Sequence, residues 1–245
     1  HGPGEAQNIP QTRQEILERP QHRSFAPESS TLSHMGQTLK RNFTRVQRLF
    51  LDEVVKDAYI AQTFYLTGGT ALAACYLNHR FSEDIDLFSD AAFDESLIVA
   101  FMKRVSVKLR VSSTVNKFHE RLRYDLAFPN KELLKIDFVF YDFKPIEQRN
   151  RLDTLTVDSI GDIAVNKLLA LSQRTASKDF VDLYFILKTY TIWDLMHGVA
   201  HKFKMDIEPF YLSSLFAKAE ELTDLPVMKK KLTIDNLAVM IKNSF

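Results

Sequence analysis

Three groups of residues in this chain have types and spacings that can do chemistry on phosphates. Gly68-Gly69-Thr70 interrupts a short apolar stretch and opens a run rich in alanine and leucine. Glycines let a ligand approach the backbone closely, and the free N–H groups of a helix start favour an anion such as a phosphate. Such a turn can also do no more than join a strand to a helix. It is not a Walker loop, because no Gly-Lys-Ser/Thr follows, and it lacks the third glycine of a dinucleotide fingerprint. Asp84-Ile85-Asp86 sets two carboxylates two residues apart, so in a strand both project from one face. Two adjacent anions call for a counter-ion, and Mg²⁺, whose hard oxygen shell is completed by substrate phosphates, is the usual one. A solvated strand end is the ordinary alternative. Asp137 shares a strand face with Leu133 and Val139, while Leu134, Ile136, Phe138 and Phe140 fill the other. A carboxylate among apolar neighbours is costly unless paired or metal-bound. Together the three acids can hold two Mg²⁺ ions roughly 3.5 to 4 Å apart, clamping the attacking and leaving oxygens of phosphoryl transfer.

These residues need elements to position them, and the hydrophobic pattern supplies candidates. Residues 40–62 carry Phe43, Val46, Leu49, Phe50, Val54 and Ala58 at helical spacing. Residues 63–67 read as a strand, the glycine pair as a tight turn, and 70–77 as a helix with Thr70 as its N-cap. A strand at 84–88 and a helix at 94–108 follow. Three further strands are expected at 109–115, 122–128 and 133–141, with Pro129-Asn130-Lys131-Glu132 as a turn. After Pro145 the pattern becomes helical, at 158–172, 177–189, 192–204, 209–221 and 235–241. Residues 1–39 hold four of the eight prolines and almost no apolar periodicity, as expected of a flexible arm or cloning remnant, with Ser33-His34-Met35 reading as a vector junction. The expected organisation is therefore an arm at 1–39, an α+β core at 40–150 built on a small mixed sheet, and a helical domain at 151–245, with the active site in the cleft between the last two.

Composition excludes several classes. The chain has 245 residues, 45% hydrophobic and 26% charged, with 32 basic against 31 acidic residues. That balance fits a soluble globular protein and rules out collagen-like and wholly disordered chains. One cysteine, Cys75, cannot make an internal disulfide and reads as a buried thiol in a reducing cytoplasm. No apolar run reaches the about 18 residues that suggest a membrane span. His197 and His201 have helix ligand spacing, but no third ligand accompanies them, which argues against zinc.

The order of the three acidic and glycine-containing pieces resembles the DNA polymerase beta-like nucleotidyltransferase superfamily, with threonine where serine is commonest. More closely, Gly68-Gly69-Thr70-Ala71-Leu72-Ala73, His79-Arg80-Phe81-Ser82-Glu83-Asp84-Ile85-Asp86-Leu87-Phe88 and Lys178-Asp179-Phe180-Val181-Asp182-Leu183-Tyr184 are similar to the AbiEii/AbiGii nucleotidyltransferase toxins. The resemblance runs over about residues 64–187. It implies an α+β, polymerase-beta-like core followed by a helical C-terminal domain. It also implies an enzyme that moves a nucleoside monophosphate from an NTP to an acceptor, with RNA and tRNA in particular expected, restrained by a separately encoded antitoxin in a toxin–antitoxin or phage-defence setting. Asp84, Asp86 and Asp137 would hold metal, and Asp137 would help accept the proton of the attacking hydroxyl. Gly68, Gly69 and Thr70 would hold the triphosphate, with His79, Arg80 and Ser82 lining the nucleotide site.

Cations come from the second half. Lys167 projects from the edge of an apolar helical stripe, and Arg174 falls two turns further on, so the pair can grip phosphates. Arg80 can equally pair with Glu83. Lys178, Asp179 and Asp182 open a helix; Asp179 and Asp182 face one way and would orient Lys167 or the nucleotide, or simply complement the helix dipole. Arg104, Lys108, Arg110, Lys117, Arg121 and Arg123 form a diffuse basic stretch suited to phosphate contact without base reading, and Lys229-Lys230-Lys231 reads as a solvated run. Two rivals keep this sequence and change the outcome: transfer to a protein hydroxyl or small molecule, and a nucleotide-binding module without catalysis.

Overall fold

The structure is a computed structural model that describes residues 42–152 and 154–243; the arm expected at 1–39 lies outside the described residues. The first helical stretch is two helices, α1 (Arg45–Val54) and α2 (Ala58–Thr63). Thr44 and Gln47 exchange side-chain and backbone hydrogen bonds in a capping box that starts α1. The break has a local cause: the Asp57 carboxylate accepts from the Ile60 amide, which holds Asp57 extended and starts α2 afresh. β1 (Tyr65–Thr67) then runs straight into α3 (Gly68–Ala71). α3 continues as a π-helical stretch, Leu72–Leu77, closed by Asn78 in the left-handed region at φ 46°. π-helical turns gather at functional sites, and this one delivers His79 and Arg80.

β2 (Ile85–Ser89), α4 (Glu95–Leu109), β3 (Ser112–Phe118), β4 (Arg121–Ala127) and β5 (Leu133–Phe140) follow. β3 starts three residues later than its apolar run implies, because α4 continues to Leu109 and Arg110 caps it at φ 54°. The expected turn at 129–132 closes with the Phe128 amide on the Glu132 carbonyl and Lys131 at φ 67°. β6 (Asn150–Leu152) and β7 (Leu155–Val157) make a hairpin absent from the sequence reading, where runs of three residues carry no periodicity. The sheet therefore has seven strands, in the order β3-β4-β5-β2-β1-β7-β6, with β2/β5 and β1/β7 parallel and the other pairs antiparallel.

Alternation gives the sheet two unlike faces. Leu66, Ile85, Leu87, Ile136 and Phe138 are fully buried on one side, where Phe138 meets Phe64 and Tyr124 edge to face; α1 packs against β5 and α4 against α1. The opposite face carries Thr67, Asp86, Asp137 and Arg123. Beyond β7 come α5 (Ile160–Gln173), α6 (Ser177–Ile186), α7 (Ile192–Phe203), α8 (Pro209–Ala217), a 3-10 turn (Lys218–Glu221) and α9 (Ile234–Lys242), so the second half is helical as read. Buried apolar side chains run without interruption from Phe43 to Ile241. Among the described residues no helix is long and apolar enough to cross a membrane.

α5 and α7 pack closely because Gly198 sits against Val165: a Cβ at Gly198 would lie 2.3 Å from Val165 Cγ2. Gly198→Ala is therefore expected to destabilise the fold by about 1 to 3 kcal/mol, as overpacking does, although alanine is the better helix former. Chemical denaturation measures this, and Val165→Ala in the same chain should recover part of the loss.

Candidate active site

Strand register lines up one row of polar side chains across the sheet. Thr67 on β1 opposes Asp86 on β2, Asp86 opposes Asp137 on β5, and Asp137 opposes Arg123 on β4. Gly68 begins the turn beside this row at φ +72°, a conformation that suits glycine. A Cβ there would lie 2.0 Å from the Asp86 carboxylate, so the missing side chain is what lets Asp86 and the turn backbone meet. Asp84 precedes β2, and its carbonyl accepts the Thr70 hydroxyl, which ties turn to strand. Burial and the charges of Asp137 and Asp84 push the Asp86 carboxyl up to about 6. Asp137 is matched instead: the Arg123 guanidinium donates to both of its oxygens, Nε at 2.9 Å and Nη2 at 3.0 Å, with Arg121 at 3.8 Å.

A second cluster forms on the other side of the turn around the fully buried Asp182 of α6. Its carboxylate receives Arg80 through Nε at 2.6 Å and Nη2 at 2.8 Å, His79 Nε2 at 2.7 Å and Lys167 Nζ at 2.6 Å. Lys167, from α5, also reaches Asp179 at 3.0 Å, and Arg174 binds Asp179 at 2.9 Å. Burial alone would raise the Asp182 carboxyl, but Lys167, Arg80 and His79 outweigh it and hold it far below the ordinary carboxylate range. For His79 burial wins, lowering its pKa, so the ring is neutral and donates from Nε2. Lys167 is burdened by burial, yet Asp182 and Asp179 keep it charged.

The two clusters meet at the glycine pair. Gly68 faces Asp86, and a Cβ on Gly69 would lie 2.7 Å from Arg80 Nη2, 3.3 Å from Ser82 Oγ and 3.7 Å from Lys167 Nζ. An anion at this turn would find backbone N–H groups, the α3 start and buried cations on one side, and carboxylates on the other. Metal fits the carboxylate side in one respect: among the described residues no cation bonds Asp86, and like charges flank it. A divalent ion would relieve that repulsion. The set is not preassembled, because Arg123 engages Asp137, and no group of three or more ligating side chains stands ready among the described residues.

Several sequence expectations change in detail. Thr70 is not the N-cap; Thr67 is, and the Thr70 hydroxyl serves the Asp84 carbonyl from inside the helix. Thr67 has its own acceptor, Asp158, at 2.9 Å. Arg80 pairs with Asp182, not Glu83. Arg174 lies just past the end of α5 in extended backbone and still reaches Asp179. Lys178 is exposed and forms no ion pair with these carboxylates among the described residues. Sequence reading passed over Arg123 as one cation in a basic stretch. Its alternation with Leu122 and Tyr124 on the strand before β5 was the available signal.

Two outcomes follow for the metal-free protein. Asp86 has a raised carboxyl in the fold, so the folded state holds its proton more tightly than the unfolded chain, and ionised Asp86 opposes folding. Asp86→Asn should raise the thermal midpoint at pH 7, and the gain should shrink as pH falls through about 6 toward the ordinary 3.8. Asp182 has the opposite sign: its contribution is present above pH 3.8 and is lost only in stronger acid. Asp182→Asn should cost about 3 to 5 kcal/mol at pH 7 by leaving buried cations unmatched, read by urea denaturation.

Comparison with known proteins gives the family and the fold. The family described as "Nucleotidyl transferase AbiEii toxin, Type IV TA system" matches residues 49–233. An uncharacterized protein of Aquifex aeolicus, aq_aa25, is 33% identical over 164 residues, covering 63% of this chain and 71% of that protein. Among solved structures, JHP933 of Helicobacter pylori superposes with a TM-score of 0.53 at 20% identity, covering 82% of this chain and 91% of its own. MenT4, a nucleotidyltransferase toxin of Mycobacterium tuberculosis H37Rv, gives 0.51 at 13% identity, covering 88% and 87%. The chain belongs to the AbiEii nucleotidyl transferase toxin family of type IV toxin–antitoxin systems, and it is a nucleotidyltransferase.

Proposed function

We propose that this enzyme transfers a nucleoside monophosphate from an NTP to an RNA acceptor, the tRNA 3′ end, and that a separately encoded antitoxin restrains it. The observation that carries the reading is the meeting of the carboxylate row and the buried cation cluster at Gly68-Gly69. In the reaction the acceptor hydroxyl oxygen bonds to the α-phosphorus, the bond from that phosphorus to the bridging oxygen of the β-phosphate breaks, and pyrophosphate leaves with the electron pair. The acceptor proton passes to a carboxylate of the row. Because negative charge moves onto the pyrophosphate, cations at the turn favour the transition state over the ground state.

Roles follow from position. Gly68, Gly69 and Thr70 would hold the triphosphate at the α3 start. Arg80 and Lys167, fixed by Asp182 and Asp179, would present positive charge to the leaving group, with His79 and Ser82 beside them. Arg174 extends that charge toward solvent, its side chain 58% exposed, and Lys178 stands outside the cluster. Asp84, Asp86 and Asp137 would hold Mg²⁺, two ions in the full arrangement; bound there, the metal would neutralise charge on the α-phosphate and pyrophosphate.

The test is incubation of the purified protein with each α-labelled NTP, Mg²⁺ and total tRNA, resolving RNA from protein products. Wild type should label RNA, and Asp84→Ala and Asp86→Ala should lower the rate by at least about a hundredfold, as loss of a main electrostatic element does. Lys167→Ala should lower it by a similar order. Label confined to protein would overturn the RNA acceptor. A folded protein that binds NTP and labels nothing would overturn the transfer reading in favour of a binding module.

A further inference from the structure

Two residues past Asp86 on the same face of β2 stands Phe88, whose ring begins a row of tilted and edge-on aromatic contacts that leaves the sheet. Its centroid lies 5.0 Å from Tyr141, Tyr141 lies 4.9 Å from Phe143, and Phe143 lies 4.8 Å from Phe203 at the end of α7. The backbone builds this line. The Tyr141 amide donates to the Ser89 carbonyl at 2.7 Å, and the Phe143 amide donates to the Tyr141 carbonyl at 2.8 Å. The row is not sealed as core rings are: Phe143 is 37% exposed, and Phe88 and Tyr141 are half-buried. Arg121 opposes Val139, the next strand position after Asp137 on this face, and its side chain is 43% exposed. Among the described residues its one close anion is Asp137, at 3.8 Å, which Arg123 already holds.

Direction along β2 says what this surface would meet. Because β1 and β2 are antiparallel with Thr67 opposite Asp86, Gly68 and Gly69 lie toward the start of β2 and Phe88 lies toward its end. The cation cluster that would receive pyrophosphate is on the Gly69 side. Phosphoryl transfer is roughly in line, so the acceptor oxygen enters from the side opposite the leaving group. That is the side of Phe88, Tyr141 and Arg121. Half-exposed aromatic rings beside arginines suit an unpaired nucleobase and its phosphate, by stacking without sequence readout.

We infer that the Phe88–Tyr141–Phe143 row of rings, with Arg121, seats the terminal unpaired base of the acceptor RNA. This inference rests on the RNA-acceptor reading above. Phe143 is the base-facing ring, and Arg121 meets the adjoining phosphate.

The experiment measures two affinities in parallel by fluorescence anisotropy: for a dye-labelled single-stranded oligoribonucleotide and for a dye-labelled NTP. Phe143→Ala and Phe143→Leu are compared with Phe143→Tyr, the leucine variant keeping apolar packing and losing the π face. Base-on-aromatic stacking is worth enough that both should weaken RNA binding on the order of tenfold, with NTP affinity unchanged within about twofold. Phe143→Tyr should restore RNA binding, and Arg121→Ala should weaken it and flatten its salt dependence. RNA affinity and RNA labelling that persist in Phe143→Leu would overturn the seat while leaving the transfer reading intact. Equal weakening of RNA and NTP in Phe143→Leu would reduce the ring to a structural role and overturn it too. Wild type that labels only protein would remove both readings at once.

Discussion

The buried carboxylate of Asp182 is the contact on which the rest of the arrangement depends. It sits on α6 and collects His79 and Arg80, from the end of the π-helical stretch, and Lys167, from α5. Those three segments have no reason of their own to converge. A charge buried without partners costs several kcal/mol, so once Asp182 is inside, each donor must arrive. The same demand runs the other way, because Lys167 and Arg80 are themselves almost fully buried. The result is a cluster in which Arg80 and Lys167 are held in place by the carboxylates of Asp182 and Asp179. Preorganised charge of this kind costs no reorganisation when a reaction begins.

Across the glycine pair the electrostatics are reversed. Asp182 is over-supplied with donors, whereas the half-buried Asp86 stands between two like charges with no bonded donor among the described residues. A protein selected for stability alone would not keep Asp86 ionised there. Strain at such a position is expected where function requires it. Arg123 relieves part of the repulsion by taking both oxygens of Asp137, which leaves Asp86 and Asp84 without a bonded cation among the described residues. The two halves of the site thus differ in how they are stabilised: in one the buried charges are paired within the chain, and in the other Asp86 has no bonded cation among the described residues.

Much of the site was legible because its local chemistry is periodic or conspicuous. Gly68-Gly69 breaks a strand, Asp84 and Asp86 share a strand face, Asp137 interrupts an apolar run, and Asp179 and Asp182 share a helix face. The less legible parts have physical reasons. Asp57 splits a continuous helical pattern by capping, a choice that competes with periodicity at a single residue. β6 and β7 are too short to show alternation and exist because β1 needs a neighbour at its open edge. Thr70 looks like a cap by position, but the helix starts at Gly68, so its hydroxyl is free to bond the Asp84 carbonyl.

By itself the sequence determined which side chains could carry charge to one surface, since strand and helix periods decide facing within an element. It could not decide which elements would face each other. Arg123 meets Asp137 through register between neighbouring strands, and a shift of one residue would have turned Arg123 to the opposite face. Asp182 meets His79 across about a hundred residues of chain. No local propensity encodes that contact; it follows from packing α5 and α6 on the sheet and from the cost of leaving any of these charges buried alone.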